Sequence, residues 1–212
     1  MTTLAIMKAR ITREIRRSNI TTQIAEAIET AIAAYEHERF AFNETRAFTF
    51  STVASQEFYT SADDADIGLI IKFDYVYCLI GDQPYELQPM RPDELERLSH
   101  NGTQTGQPRA YCYYADAIRL YPVPPAVYTI RVGCVKKVAA PASDAEANNP
   151  WMTPAERLIR SRAKLELAMH VTHDKETAKT MADGTAEAMD QLKSRTNTLT
   201  PQGGGIVEPV AF

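Results

Sequence analysis

The chain has 212 residues, 44% of them apolar and 24% charged, and a formal net charge of -4. That length buries a sizeable core without staples or metals, and the acidic balance gives no reason to expect the concentrated basic surface that tight phosphate-backbone binding needs. The three cysteines, Cys78, Cys112 and Cys134, are odd in number and dispersed, which argues against a disulfide framework or a cysteine-rich zinc site and for buried free thiols.

The opening stretch MTTLAIMKARITREIRR lacks the apolar core and cleavage site of a signal peptide. No run approaches the roughly 18 apolar residues of a membrane span, so no membrane contact is expected. Leu4, Met7, Ile11 and Ile15 recur at spacings of three and four, the period of an amphipathic helix, with Arg10, Arg13 and Arg17 opposite. Ser18 and Asn19 interrupt it and suit a cap for the next helix. There Ile20, Ile24, Ile28, Ile32 and Tyr35 repeat the stripe, predicting a helix to about Arg39.

From Phe40 the chain turns aromatic and β-branched, and AFNETRAFTFSTVASQEFYT suits strands. Ile67, Leu69, Ile71, Phe73, Tyr75, Tyr77 and Leu79 then alternate, predicting one long strand with a single apolar face. Gly81-Asp82 turns the chain, Pro84–Leu87 returns as the hairpin partner, and Pro92 opens a short helix near Asp93–Ser99. After the polar loop NGTQTGQP, Tyr111 and Tyr113 alternate, Ala115-Asp116-Ala117 turns, and Ile118–Tyr121 forms another strand. Pro122, Pro124 and Pro125 connect it to a third, alternating at Tyr128, Ile130 and Val132, which together predict an antiparallel meander.

VAAPASDAEANNP reads as a surface loop, and Thr153-Pro154-Ala155-Glu156 as a capping box opening a helix. That helix carries Ala155, Leu158, Ile159, Ala163, Leu165, Leu167 and Met169 over a wide arc, so burial on more than one side is expected. A last helix has the narrower stripe Ala178, Met181, Ala182, Met189 and Leu192, and the periodicity stops after Ser194. This is an α+β pattern. The N- and C-terminal helices (1–42 and 153–194) are expected to form one helical bundle. An antiparallel β-lobe with a short helix (43–137) is inserted between them, with a loop at 138–152 and an extended C-terminal arm at 195–212.

Several stretches resemble the head-to-tail adaptor (connector) proteins of tailed bacteriophages. They are the paired-helix opening with AIETAIAAYEHERFAFNE, the run PRAYCYYADAIRLYPVPPAVYTIRVGCVKK, and the W-x-x-x-A-E-x-x-I-x-x-x-A helix from Trp151 to Ala163. Within the second, an I-x-L-Y-P-x-P element (Ile118–Pro124) precedes a Y-T-I-x-V strand (Tyr128–Val132). The resemblance spans roughly residues 11–171. It implies a homo-oligomeric ring, commonly a dodecamer, docked beneath the portal protein, joined to a tail or nozzle protein, with transient non-specific passage of DNA through its centre. It also implies a C-terminal extension that grips the portal, a role that falls to residues 195–212: the glycines Gly203, Gly204 and Gly205 precede the apolar Ile206, Val207, Val210 and Phe212. Another neck protein (a stopper or tail terminator) is the alternative, and a small ligand- or carbohydrate-binding domain a more distant one.

Other constellations have plainer readings. His170 and His173, near Glu166 and Asp174, have a spacing that suits one metal, but no further ligand cluster supports it and histidine is favourable at helix C-termini. Glu36, Glu38 and Glu44 give no sign of converging as paired carboxylates. No G-x-S-x-G, P-loop, G-x-G-x-x-G or zinc-protease signature occurs, so no enzyme activity and no cofactor are expected. The stripe Arg10, Arg13 and Arg17 and a second one, Arg157, Arg160 and Lys164, are candidates for contacts between ring subunits, where charged faces set orientation and register. Tyr111, Tyr113, Tyr121 and Tyr128 are candidates for tail-side contact, tyrosine combining broad area with a polar tip.

Overall fold

Residues 2–17, 19–81, 83–99 and 104–199 are described by a computed structural model. In chain order the elements are α1 (Leu4–Ile15), α2 (Thr21–Ala33), β1 (Glu44–Ser51), β2 (Phe58–Tyr59), β3 (Ile70–Ile80), β4 (Gln83–Glu86), β5 (Gln88–Pro89), α3 (Pro92–Ser99), β6 (Ala110–Tyr114), β7 (Ala117–Tyr121), β8 (Thr129–Lys136), α4 (Glu156–His170) and α5 (Lys175–Leu199). The class is α+β. The chain divides into two units, one made of the residues up to Phe42 together with those from Val138 onward, the other of Asn43–Lys137.

The first unit is helical. Met7 and Ile11 of α1 and Ile24, Ile28 and Ile32 of α2 are buried with Leu158, Ile159, Ala163 and Leu167 of α4. The 3.6-residue period therefore selects the buried face on each of these helices. Thr3 caps α1 by accepting the amide of Ile6 at 3.4 Å. The start of α2 differs from expectation: Ile20 is its N-cap, and no side chain bonds there. Its end differs as well. α2 stops at Ala33, and i→i+3 bonds such as Tyr35 N–H to Ile32 O and Glu38 N–H to Tyr35 O take over before Arg39. This tightening brings Phe40 into the core and Phe42 edge-on to Trp151 at 5.2 Å.

The capping box at Thr153 does not form. Asn149 instead accepts the amide of Trp151 at 3.1 Å and caps a 3-10 turn at Pro150–Met152 inside the stretch read as loop, while α4 starts at Glu156 with no side-chain cap. The Asn-Pro step, one turn earlier, carries the stronger start signal, because proline has no amide to satisfy at the first position. On α4, Ala168 is buried while Met169 is half exposed. On α5 the buried positions are Thr185, Ala188, Leu192 and Thr196, and Ala182 is exposed. The helix also continues past Ser194 to Leu199, so residues 195–199 are not part of an extended arm. Thr196 is polar only on paper: its hydroxyl donates to Leu192 O at 2.9 Å and accepts the amide of Ala41 at 3.1 Å, which lets it occupy a core position. Residues 200–212 lie outside the described residues.

The second unit holds two four-stranded sheets, ordered β1-β8-β3-β4 and β2-β7-β6-β5, whose inner faces share one core of Phe48, Phe50, Tyr59, Val76, Cys78, Ile118, Leu120, Ile130 and Val132. The expected meander is thereby corrected. β6 and β7 pair around Ala115 and Asp116 (φ 52° and 57°), but β8 joins the other sheet, between β1 and β3. Prolines at 122, 124 and 125 have no amide to extend the β7 ladder, and Val123 pairs instead with Gln104 and Gly106 as the chain leaves the sheet.

The single apolar face expected for Ile67–Leu79 is not found either. Ile67–Leu69 is a 3-10 turn, and the β3–β8 register slips between Ile70 and Lys72 and again between Phe73 and Tyr75. An added residue turns every later side chain over. Val76 and Cys78 therefore enter the core, and Tyr75, Tyr77 and Leu79 are left half-buried on the opposite face. On that face the Tyr75 ring lies over its cross-strand partner Gly133, in the space a β-carbon there would need, with the Tyr77 ring tilted against it at 5.1 Å. Gly133→Ala is accordingly expected to cost about 1–2 kcal/mol in denaturant unfolding, and less when Tyr75→Ala has already removed the ring. An equal cost in both backgrounds would assign the effect to the backbone instead.

Candidate interaction surfaces

Four of the six cations expected to face neighbouring subunits are engaged within the helical unit. Arg10 reaches Glu156 at 3.0 Å, Arg160 reaches Glu14 at 2.7 Å and Glu156 at 3.3 Å, and Lys164 reaches Glu14 at 2.7 Å. Arg157 pairs with Glu187 at 2.8 Å and donates to Gln191 at 2.8 Å. Arg10, Arg157, Arg160 and Lys164 thus lie at helix–helix seams, where Glu14 and Glu156 bind α1 to α4 and Glu187 binds α4 to α5. Partial burial alone would raise the Glu14 pKa, but the hydrogen bonds and charges of Lys164 and Arg160 outweigh it and hold the carboxyl below its ordinary value. Arg13 and Arg17 are exposed. Arg13 sits in the last turn of α1, where a cation complements the helix dipole. Arg17 lines a cleft of about 420 Å³ with Glu14, Ile15, Lys164, Leu167, Asp174 and Met181.

A second recess runs along the other end of α4 and α5. Two shallow cavities of about 200 Å³ each share Pro154, Leu192 and Arg195. One is completed by Ala41, Phe42 and Thr196, the other by Arg157, Leu158, Ala188 and Gln191. Its floor is apolar and its rim is cationic.

The tyrosines divide in a way their spacing did not reveal. Tyr111 is 6% exposed, with Phe73 5.3 Å from its ring, so it belongs to the core and not to a contact surface. Tyr113 is half-buried, its hydroxyl within donating reach of either Ile67 O at 3.2 Å or Asp116 at 3.3 Å. Tyr121 donates to Gln104 at 2.9 Å, and Tyr128 packs against the core. The tyrosines open to solvent are Tyr114, 70% exposed at the β6–β7 turn, and Tyr85 on the edge strand β4. Strand ends and edges expose what strand centres bury, and periodicity alone does not tell one from the other.

Arg119 is a feature that patterning passed over. Although charged, it is 7% exposed on β7. Its guanidinium bonds Glu57, donates to Glu96 at 2.7 Å and to Ser99 at 2.8 Å, and stands 5.2 Å from the centre of the Phe58 ring. It therefore ties α3 to the β2–β7 edge. The available signal was a lone charge between Ile118 and Leu120 in an otherwise apolar strand.

The histidines do not converge. His170 is 3.4 Å from Glu166, whereas His173 contacts Met169 O at 3.0 Å, and Asp174 is committed to capping α5 through the amides of Glu176 and Thr177. Among the described residues no group of three or more histidine, cysteine or acidic side chains could hold a metal. Glu36 lies 3.3 Å from His37 and Glu38 3.3 Å from Lys193, while Glu44 begins β1 in the other unit. All three cysteines are buried and free, and burial raises the pKa of Cys78 and of Cys134 to about 11, which makes them poor nucleophiles. Among the described residues no helix is long and apolar enough to cross a membrane.

A family model described as "SU10 adaptor protein" matches residues 2–205. No curated protein matches the chain.

Proposed function

This chain belongs to the SU10 adaptor protein family, a family of phage adaptors that are structural and not catalytic, and from that membership we propose that it is a head-to-tail adaptor subunit. It is a virion component. In this reading many copies, twelve by the commonest pattern, close into a ring beneath the portal protein. A tail or nozzle protein joins the opposite side, and DNA passes through the centre during packaging and ejection. The match over residues 2–205 is the observation that carries the reading.

Two physical features support it. The net charge of -4 gives passing DNA little to hold. Arg13, Arg17, Tyr85 and Tyr114 are exposed and so accessible to neighbouring subunits or tail components, in contrast to the cations already engaged at helix seams. The work of such a subunit is mechanical: it holds two assemblies in register.

Negative-stain imaging of the protein mixed with portal rings of the same phage tests the reading. Added density on one end of the portal, with matching rotational symmetry, is the expected result. A monomer that leaves the portal bare would refute it. Removing residues 200–212 is expected to abolish portal attachment, because Ile206, Val207, Val210 and Phe212 are the apolar residues proposed to grip it. Attachment at full strength by the truncated chain would refute the gripping role alone.

A further inference from the structure

We infer that the apolar recess at the α4–α5 end of the helical unit receives residues 206–212 of the same chain. The recess is formed by the two joined cavities around Pro154, Leu192 and Arg195. Leu158, Ala188 and Leu192 form its floor, and Arg157 and Arg195 stand at its edge.

Three observations select this occupant. The first is reach. The recess begins beside Arg195 and Thr196, one turn before the last described residue, Leu199. From Leu199 back to Gln191 is about 12 Å of helix, while the six residues of TPQGGG span up to about 20 Å when extended. Three of those six are glycines, which accept the backbone angles a chain reversal needs. The second is chemistry: IVEPVAF supplies Ile206, Val207, Val210 and Phe212 for the apolar cavity beside Phe42 and for the apolar floor of the mixed cavity next to it. The third is charge. Residues 200–212 contain one ionisable side chain, Glu208, and it is acidic, whereas Arg195 stands at the recess edge beside Arg157, whose own charge is met by Glu187.

The other large cleft, around Arg17 and Met181, is less suited. Its cations Arg17 and Lys164 are matched by Glu14 and Asp174, so it offers Glu208 no net attraction, and it lies toward the far end of the 25-residue α5. An attached ligand of this length acts at a high effective concentration, so even weak apolar contacts hold it. The inference concerns the free chain and stands whether or not the same residues later meet a portal.

The full-length chain carrying Gln191→Cys and Val207→Cys tests it under mild oxidation, the native thiols being buried. An intramolecular disulfide is expected about tenfold faster than in the control pair Asp190→Cys with Val207→Cys, a position equally near the end of α5 but off the recess, because docking raises the local concentration over that of a freely wandering segment. Adding Arg195→Glu to the first pair is expected to slow it toward the control. Equal rates for both pairs would overturn the inference. So would a covalent dimer as the main product of the first pair, which would assign the recess to a second copy. No portal is present in this experiment, so its failure leaves the adaptor reading untouched.

Discussion

Trp151→Ala is expected to destabilise the helical unit by about 4 kcal/mol, the range found when a large buried aromatic is removed. Trp151 is fully buried, with Phe40 and Phe42 edge-on at 6.1 and 5.2 Å. Its indole donates to Val138 O at 3.0 Å, so truncation leaves both a void and an unanswered carbonyl. The site has little freedom to collapse, since α2, α4 and the 3-10 turn at Pro150–Met152 all pack around it. Because the chain has a single tryptophan, wild-type emission reports this unit alone. The variant must be followed by far-ultraviolet circular dichroism in denaturant. Trp151→Phe should lose about half as much, keeping most of the area but not the donor. A loss under about 1 kcal/mol for the alanine variant would mean that the pocket refills and that Trp151 does not organise this core.

Arg119→Ala is expected to cost the β-rich unit about 3 kcal/mol, toward the lower end of what breaking a buried ion pair costs. The lower end applies because Glu96 is largely exposed and recovers water when the arginine is lost, whereas Glu57 is mostly covered and does not. Lysine should restore only part of the loss. A single ammonium does not reproduce the planar fork that meets Glu57, Glu96 and Ser99 at once, nor the stacking against Phe58. Hydrogen exchange provides the readout: the α3 amides should lose protection in Arg119→Ala, since this network anchors the helix. Unchanged α3 protection would show that the burial of Leu95 alone holds it.

These two residues also illustrate why burial and partner were not both legible beforehand. Trp151 stood in the sequence as part of a recognisable helix opening, and its burial follows from size and hydrophobicity. Arg119 finds its carboxylates 62 and 23 residues away, so nothing local announces them. The basic stripes follow the same rule. Their positions were readable, but Arg10 and Lys164 meet partners 146 and 150 residues distant, which places these two cations at seams inside one subunit while Arg13 and Arg17 stay exposed.

What the sequence determined by itself is whatever depends on short range. The stripes Met7–Ile11 and Ile24–Ile28–Ile32 specify the buried faces of α1 and α2 because a helix repeats every 3.6 residues whatever surrounds it. The hairpin at Gly81 and the turn at Ala115-Asp116 needed only local backbone chemistry, and the α+β class followed from the order of such elements. Tertiary structure alone decided which sheet β8 joins, where the β3 register slips, and how far α5 runs. Each is a choice between alternatives of similar local energy. A bulge reverses the parity of Tyr75 and Val76 to suit a core supplied by the facing sheet, and Thr196 extends α5 because the Ala41 amide, 155 residues away, completes its hydrogen bonding.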